Sequence, residues 1–240
     1  MTWRPELPPA ETIQWLGPLI MLVITGFGYL AGTLRVRKKW RSGDTRKIFH
    51  FAIFTTAATL QATVGFAGVN LLGGLFAFYL FTLLRVGEGN VFYEGIARKS
   101  DAPHRSLHIF LPALSTGVGG VLSGWLFGDC ALIGFLASGC GDAVAEPIGS
   151  RFGKHRYKVP SIGVPSERSY EGSAAVFVAS ALGIATALWL VPTLGATGPQ
   201  IATVALACAA ASTVVEAISH HGLDNLTVQV AAAGVAAALL

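Results

Sequence analysis

The sequence predicts an all-α polytopic membrane protein with seven to eight transmembrane helices. Apolar residue types make up 52% of the 240 residues and charged types 12%, which is about half the charged content of soluble domains. The mean hydropathy is +0.59, and the 29 glycines suit the close helix packing found in lipid. These values exclude a soluble enzyme and a disordered chain, and residues 1–240 are interpreted as a single integral membrane domain.

Eight apolar segments approach the roughly 20 residues that a helix needs to cross a bilayer. In chain order they are 13–34, 48–65, 67–84, 107–127, 130–148, 173–192, 200–218 and 226–240. The last segment is short, so the prediction is seven to eight spans. Seven or eight such helices leave no room for a separate globular domain. An active site must therefore be formed by helix ends and the loops between them.

The ends of these segments carry recognisable signals. The first segment follows residues 1–11, which contain acidic residues and prolines but no basic run, so we expect it to remain as a helix rather than to be cleaved as a secretory signal. The fifth segment ends at Pro147, Gly149 and Gly153, residue types that we expect to end the helix and loosen the turn after it.

The basic residues predict the orientation of the spans. Sixteen of the 17 Lys and Arg residues lie in the three connecting loops 35–47, 85–106 and 149–172. In the eight-span arrangement these loops lie on one side, which the positive-inside rule assigns to the cytosol. We therefore expect an integral protein of the inner cell membrane whose active site faces the cytosol. Attraction of the basic loops to anionic lipid is the alternative reading of this pattern.

Acidic residues gather at the span ends on the same predicted side. They are Asp142, Glu146, Glu171, Glu216 and Asp224. Carboxylates grouped in this way favour Mg²⁺, and basic side chains nearby favour phosphate. The simpler reading is that each acid is a charge at a helix end. Together the acids and bases indicate a site for a nucleotide and a metal ion.

Four short motifs resemble those of the CTP-dependent lipid-alcohol kinases, the family of dolichol kinase and phytol kinase. They are Arg46-Lys47-Ile-Phe-His50, then Gly141-Asp142-Ala-Val-Ala145 with Gly149-Ser-Arg-Phe-Gly153-Lys154, then Arg168-Ser-Tyr-Glu171-Gly172-Ser173, and Glu216 followed by Leu223-Asp224-Asn225-Leu-Thr227. The family often has Lys at the position of Arg168, and Glu146-Pro147 is more polar than its pattern. The related phosphatidate cytidylyltransferases also use CTP, but their Asp-Arg-x-Asp motif is absent from this chain.

The resemblance implies transfer of the γ-phosphate of CTP to a long-chain lipid alcohol such as phytol, farnesol, geranylgeraniol or a polyprenol. It implies catalytic roles for Asp142 and Glu171, and Mg²⁺ bound by Asp142, Glu171 and Asp224. The nucleotide-binding residues that it implies are Arg46, Lys47, Gly153, Lys154, Arg168 and Asn225. Secondary candidates for the site are His50, Glu146 and Glu216.

Two other functions remain compatible with the sequence. One is a lipid cytidylyltransferase similar to CDP-diacylglycerol synthase, and the other is a transporter, since acids in membranes also form ion paths. The expected partners are CTP, a lipid alcohol and membrane lipids, with no nucleic acid. Homo-oligomerisation and the identity of the general base stay open, although Asp142 is the first candidate for accepting the proton of the alcohol.

Overall fold

The structure is a computed structural model that describes residues 6–159, 166–220 and 222–240. The chain divides into two compact units, Met1–Ala113 and Leu114–Leu240. The first unit contains α1 (Ala10–Val36), α2 (Ser42–Thr63), α3 (Phe66–Val86) and the short α4 (Val91–Ile96), and the start of α5 (Arg105–Phe127). The second contains the rest of α5, α6 (Ala131–Phe152), α7 (Tyr170–Leu190), α8 (Gly198–Ile218) and α9 (Asp224–Leu239).

The described residues include five helical segments that are long and apolar enough to cross a membrane. They are Ala10–Val36, Phe66–Val86, Arg105–Phe152, Tyr170–Leu190 and Gly198–Ile218. The third of these is 48 residues long and contains both α5 and α6. Helix α2 carries charged residues in its first turns, and α9 has 16 residues. The largely helical character is thus confirmed, five segments are long and apolar enough to cross a membrane, and the count of seven to eight spans stays a prediction.

One small sheet departs from the all-α prediction. Strands β1 (Arg156–Val159) and β2 (Ser166–Ser169) pair antiparallel, with Tyr157 opposite Arg168. Both strands lie within residues 149–172, which the sequence analysis treats as a loop. Tyr157 and Val159 alternate with charged residues, and this period of two is typical of a strand. The hairpin matters because it carries Arg168.

An ionic cluster in the first unit orders the segment predicted as the loop 85–106. The Arg105 guanidinium donates to both carboxylate oxygens of Glu94, at 3.2 and 2.9 Å, and lies 3.1 Å from Glu88. Its Nε donates to the Arg98 carbonyl, and its carbon lies 5.2 Å from the centre of the Tyr93 ring. These hydrogen bonds from Arg105 hold the pKa of Glu94 below its usual range. This segment is therefore folded, and contains α4.

Helix α4 packs on α1 through two glycines. A β-carbon on Gly95 would lie 2.6 Å from the Gly32 nitrogen, and one on Gly32 would overlap the carbonyl group of Val91, whose carbon would be 2.8 Å away. Thr45 of α2 donates a 2.8 Å hydrogen bond to the Gly95 carbonyl. The short helix is consequently fixed between α1 and α2, and its backbone leaves no room for a side chain at either glycine.

We expect Gly32→Ala to destabilise the first unit, because the added methyl group meets backbone atoms that cannot rotate away. Overpacking of this kind costs roughly 1–3 kcal/mol. Gly26 lies on the same helix with nothing within 4 Å of its added β-carbon, so Gly26→Ala is the matched control. Thermal unfolding in detergent, followed by circular dichroism, should show a lower midpoint for Gly32→Ala only. Equal midpoints for the two variants would contradict the close contact.

Candidate active site

Close packing of α6 on α7 sets the frame of the candidate site. A β-carbon on Gly141 would lie 2.5 Å from the Ser180 hydroxyl and 3.0 Å from Val176, and one on Gly172 would lie 3.1 Å from the Ala145 carbonyl. Further along α6, Gly149 approaches the Gly172 backbone in the same way. Small residues at intervals of four let two helices approach this closely. Gly141 on α6 meets Val176 and Ser180 on α7, whereas the later Gly149 meets the earlier Gly172. The two helices are therefore antiparallel, and the end of α6 lies beside the start of α7.

The start of α7 is fixed by Ser169. Its hydroxyl accepts a 3.1 Å hydrogen bond from the Gly172 N–H and so caps the helix. Gly153, at the end of α6, packs on the same side chain, since its added β-carbon would lie 2.6 Å from the Ser169 hydroxyl. Gly153 is thus explained by packing, independently of the nucleotide contact predicted for it. Lys154, the next residue, is exposed.

The turn between α8 and α9 places two more acids at this end of the unit. Gly222 has a φ of +92°, a conformation that favours glycine. Its carbonyl accepts a 2.7 Å hydrogen bond from Ser115. The hydroxyls of Ser219 and Thr227 lie 2.7 Å apart and close the turn. Glu216 before the turn and Asp224 after it are consequently held at defined positions.

Arg168 connects these elements. Its Nε lies 3.0 Å from Glu216 Oε1, and its terminal Nη2 donates to Asp224 Oδ2 at 2.9 Å. The exposed fraction of the side chain is 12% for Arg168, 7% for Glu216 and 14% for Asp224. The structure thus brings together three predicted site residues that are far apart in the sequence, and it engages Asp224 with an arginine.

Tyr157 extends this cluster on the strand opposite Arg168. Its hydroxyl lies 2.7 Å from the Ser173 hydroxyl in the first turn of α7. Burial raises the pKa of Tyr157, and the nearby Glu216 carboxylate contributes in the same direction. The phenol is therefore neutral and available for hydrogen bonding at physiological pH. Nothing in the sequence analysis indicated this residue; its alternation with charged neighbours is the only signal that could have found it.

Glu171 forms a second, more exposed contact. Its carboxylate lies 2.8 Å from His155 Nδ1 and accepts from the His155 backbone N–H at 3.3 Å. It therefore ties the turn after α6 to the first turn of α7. His155 is a further residue that the sequence analysis did not include in the site, because its pairing with Glu171 depends on the hairpin.

Asp142 and Glu146 are half-buried on the second half of α6. Each directly follows a residue that packs against α7, because Gly141 and Ala145 lie in that contact. The packing of these small residues consequently helps to fix the positions of both acids on the helix. Glu146 lies about two helical turns before Phe152, where α6 ends, and Asp142 lies about three turns before it. The helix continues through Pro147 and Gly149, so the prediction that these residues end it was wrong.

Asn225 is 4% exposed and takes part in a polar network inside the second unit. Its amide donates a 2.9 Å hydrogen bond to the Thr116 hydroxyl on α5. Gln229, one turn later, donates to the carbonyl groups of both Thr116 and Asn225. These contacts hold α9 against α5, so Asn225 has a structural role alongside the nucleotide contact predicted for it.

The remaining predicted residues belong to the first unit. Arg46 and His50 are half-buried in the first turns of α2, and the whole residue Lys47 is 7% exposed. The His50 ring packs on Phe54, with 4.5 Å between ring centres. Lys47 is therefore largely withdrawn from solvent.

The acidic side chains fit a Mg²⁺ ion that is held jointly by carboxylates and by substrate phosphates. Mg²⁺ prefers oxygen ligands and is commonly held by one or two carboxylates together with substrate phosphates. The half-buried Asp142, Glu146 and Glu171 supply such oxygens. Within the described ranges, no group of three or more His, Cys, Asp or Glu side chains is arranged to hold a metal ion. A site completed by phosphate oxygens fits these residues better than one formed by Asp142, Glu171 and Asp224 alone.

We expect Asn225→Ala to lower the free energy of unfolding by about 1–3 kcal/mol, the usual cost of leaving a buried polar partner unsatisfied. Thr116→Val removes the same side-chain hydrogen bond from the other side. If the two residues act on each other, the double variant should be less destabilised than the sum of the single variants. Thermal unfolding of the four proteins in detergent measures this coupling. Strict additivity would show that the bond contributes no stability.

Comparison with known proteins supports the resemblance drawn from the motifs. The chain is 39% identical to phytol kinase from Synechocystis sp. over 106 residues. The matched region is 44% of this chain and 42% of the relative. The match thus covers less than half the length of that curated relative. No family model matches the chain, and no solved structure matches it. The similarity supports a relationship with phytol kinase-like proteins.

Proposed function

We propose that this protein is a membrane kinase that transfers the γ-phosphate of CTP to the hydroxyl of a long-chain isoprenoid alcohol. Phytol, farnesol, geranylgeraniol and polyprenols are the proposed acceptors. The observation that carries the proposal is the 39% identity to a phytol kinase over 106 residues. The cluster of Arg168 with Glu216 and Asp224 supports it, because it places an arginine among acids at the end of a unit formed of apolar helices.

The apolar helices suit an acceptor of this kind. A long isoprenoid tail is too apolar to leave the bilayer, so it would lie against the membrane-spanning segments. Its hydroxyl would then reach the interface, where the polar ends of α6, α7, α8 and α9 meet a nucleotide that is soluble in water. Phosphoryl transfer depends chiefly on positioning and charge neutralisation, which such helix ends can provide.

Arg168 is the residue best placed to receive the nucleotide. Its Nη1 is buried and has no hydrogen-bond partner among the described residues, so it offers donors to a phosphate oxygen. Lys154 and the turn at Gly153 would add positive charge and backbone N–H groups. The roles implied for Arg46, Lys47 and His50 rest on the resemblance alone. Asn225 would act in the nucleotide site through its fixed position beside Asp224.

Asp142 is proposed to accept the proton of the alcohol, with Glu171 as the second catalytic acid. Both are half-buried beside glycines in the contact between α6 and α7, which would hold a carboxylate in one place during transfer. Mg²⁺, held by Asp142 and Glu171 and by phosphate oxygens, would supply neutralisation of the charge on the transferred group. Glu146, one turn from Asp142, is a further candidate ligand.

The deciding experiment uses purified protein with γ-labelled CTP, ATP, GTP or UTP and each of the four alcohols, with products separated by chromatography. We expect label on the alcohol and release of CDP, with CTP the best donor. Asp142→Asn should lower turnover by at least about 100-fold, as loss of an electrostatic group in an active site commonly does. Asp129, at the other end of α6, provides the control Asp129→Asn.

Two outcomes of this experiment would reject the proposal. Release of pyrophosphate with formation of a CDP-linked lipid would identify a cytidylyltransferase. Absence of labelled alcohol with every nucleotide would exclude a kinase acting on these acceptors. Parental turnover in Asp142→Asn would leave the kinase activity intact but remove the catalytic role of Asp142.

The proposed location is the inner cell membrane, with the basic segments in the cytosol. Single cysteines at Ser100 and at Thr193, placed in a background without the native cysteines, test this arrangement. We expect an impermeant thiol reagent added to intact cells to label the cysteine at 193 and not the one at 100, because positively charged segments stay in the cytosol. Ser100 and Thr193 are both exposed, so neither is shielded by the fold. Labelling at 100 alone would reverse the orientation.

A further inference from the structure

Arg168 and Arg105 offer a comparison between two buried arginines of the same chain. All three nitrogens of Arg105 are engaged: Nε with the Arg98 carbonyl, and both terminal nitrogens with carboxylates of Glu94 and Glu88. Arg168 is held by acids at Nε and Nη2, whereas its buried Nη1 has no hydrogen-bond partner in the part of the chain that the structure describes. Every guanidinium nitrogen of Arg105 thus has a polar contact within the protein, whereas one nitrogen of Arg168 has none among the described residues.

The guanidinium of Arg168 is therefore held on one side. A guanidinium carries five N–H donors in a rigid plane, so fixing two of its nitrogens fixes the direction of the third. Glu216 and Asp224 provide that fixation from the end of α8 and the start of α9. The remaining donors suit an oxyanion such as a phosphate oxygen, because arginine binds these groups with high geometric specificity.

Both carboxylate oxygens of Asp224 accept a hydrogen bond in this arrangement. Its Oδ2 accepts from Arg168, and its Oδ1 accepts from the Asn225 N–H at 3.1 Å. Glu216 is 7% exposed in its side chain and lies on the last turn of α8. Carboxylates used in this way are poorly available to a cation, in contrast to the metal-binding role predicted for Asp224.

We propose that Glu216 and Asp224 are positioning residues, which act on the nucleotide through Arg168 and do not bind Mg²⁺. This inference rests on the proposed kinase function and deepens it. The two acids orient the guanidinium so that its Nη1 contacts a phosphate of the nucleotide. Loss of either acid releases one side of the guanidinium and weakens nucleotide binding, while the metal requirement is unchanged.

The test is a kinetic comparison of Asp224→Asn and Glu216→Gln with the parent protein. Each variant keeps the shape of the side chain and removes its charge. We expect the KM for CTP to rise roughly 10-fold, the scale of weakening one charge-assisted contact. The kcat should change less than the KM, and the Mg²⁺ concentration for half-maximal rate should stay at the parental value. A metal ligand would instead raise that Mg²⁺ concentration.

A double variant separates action through Arg168 from independent action. In an Arg168→Gln background, Asp224→Asn should cause no further rise in KM, since the acid then has no guanidinium to orient. Glu167, the exposed neighbour on the same strand, provides the matched control Glu167→Gln, which should keep parental kinetics. If Arg168→Gln does not accumulate in membranes, the Mg²⁺ titration of Asp224→Asn still decides between the two roles.

The possible failures are distinguishable. A parent protein that transfers no label from any nucleotide overturns the proposed function, and this inference with it. A parent protein that is active, with an increased Mg²⁺ requirement in Asp224→Asn, overturns only the positioning role. An independent, multiplicative effect of Asp224→Asn in the Arg168→Gln background does the same.

Discussion

The close contact between α6 and α7 is the constraint on which the rest of the second unit depends. Gly141, Gly149 and Gly172 lie in this contact, and a β-carbon added at any of them would lie within 3.1 Å of a neighbouring atom. The end of α6 then lies beside the start of α7, and the described residues between these helices include the antiparallel strands β1 and β2. Strand β2 carries Arg168 to the ends of α8 and α9.

Charges are few in this chain, and its buried Arg105 and Arg168 are both paired with acids. An unpaired charge in a low-dielectric environment is costly, and removing one partner of a buried pair costs about 3–5 kcal/mol. Arg105 meets partners from nearby in the sequence and orders a segment of the first unit. Arg168 meets partners 48 and 56 residues away, and so connects the hairpin to two helices. The contacts of Arg105 stabilise local structure, whereas those of Arg168 bring candidate site residues together.

Hydropathy and the charge pattern were sufficient to predict the long helices. The segments predicted at 13–34 and 67–84 correspond to α1 and α3, and 200–218 corresponds to α8, with boundaries that differ by at most three residues. The contact between Arg168 and Asp224 was not predictable in this way, because a resemblance between motifs identifies residue types and not their partners. Tyr157 was missed for a related reason, since its neighbours are brought together by the hairpin.

The balance of charge at the polar end of the second unit favours a cation in the reaction. Five acids there are buried or half-buried, namely Asp142, Glu146, Glu171, Glu216 and Asp224. Among the described basic residues of this unit, only Arg168 is withdrawn from solvent, while the other lysines and arginines are exposed. Among the groups withdrawn from solvent, a polyphosphate entering this region would meet more negative than positive charge, and like charges at short range repel strongly where water is scarce. Arg168 alone cannot offset that repulsion, because two acids already share its charge. A divalent cation arriving with the nucleotide would remove the imbalance, and this is the physical reason for including Mg²⁺ in the proposed mechanism.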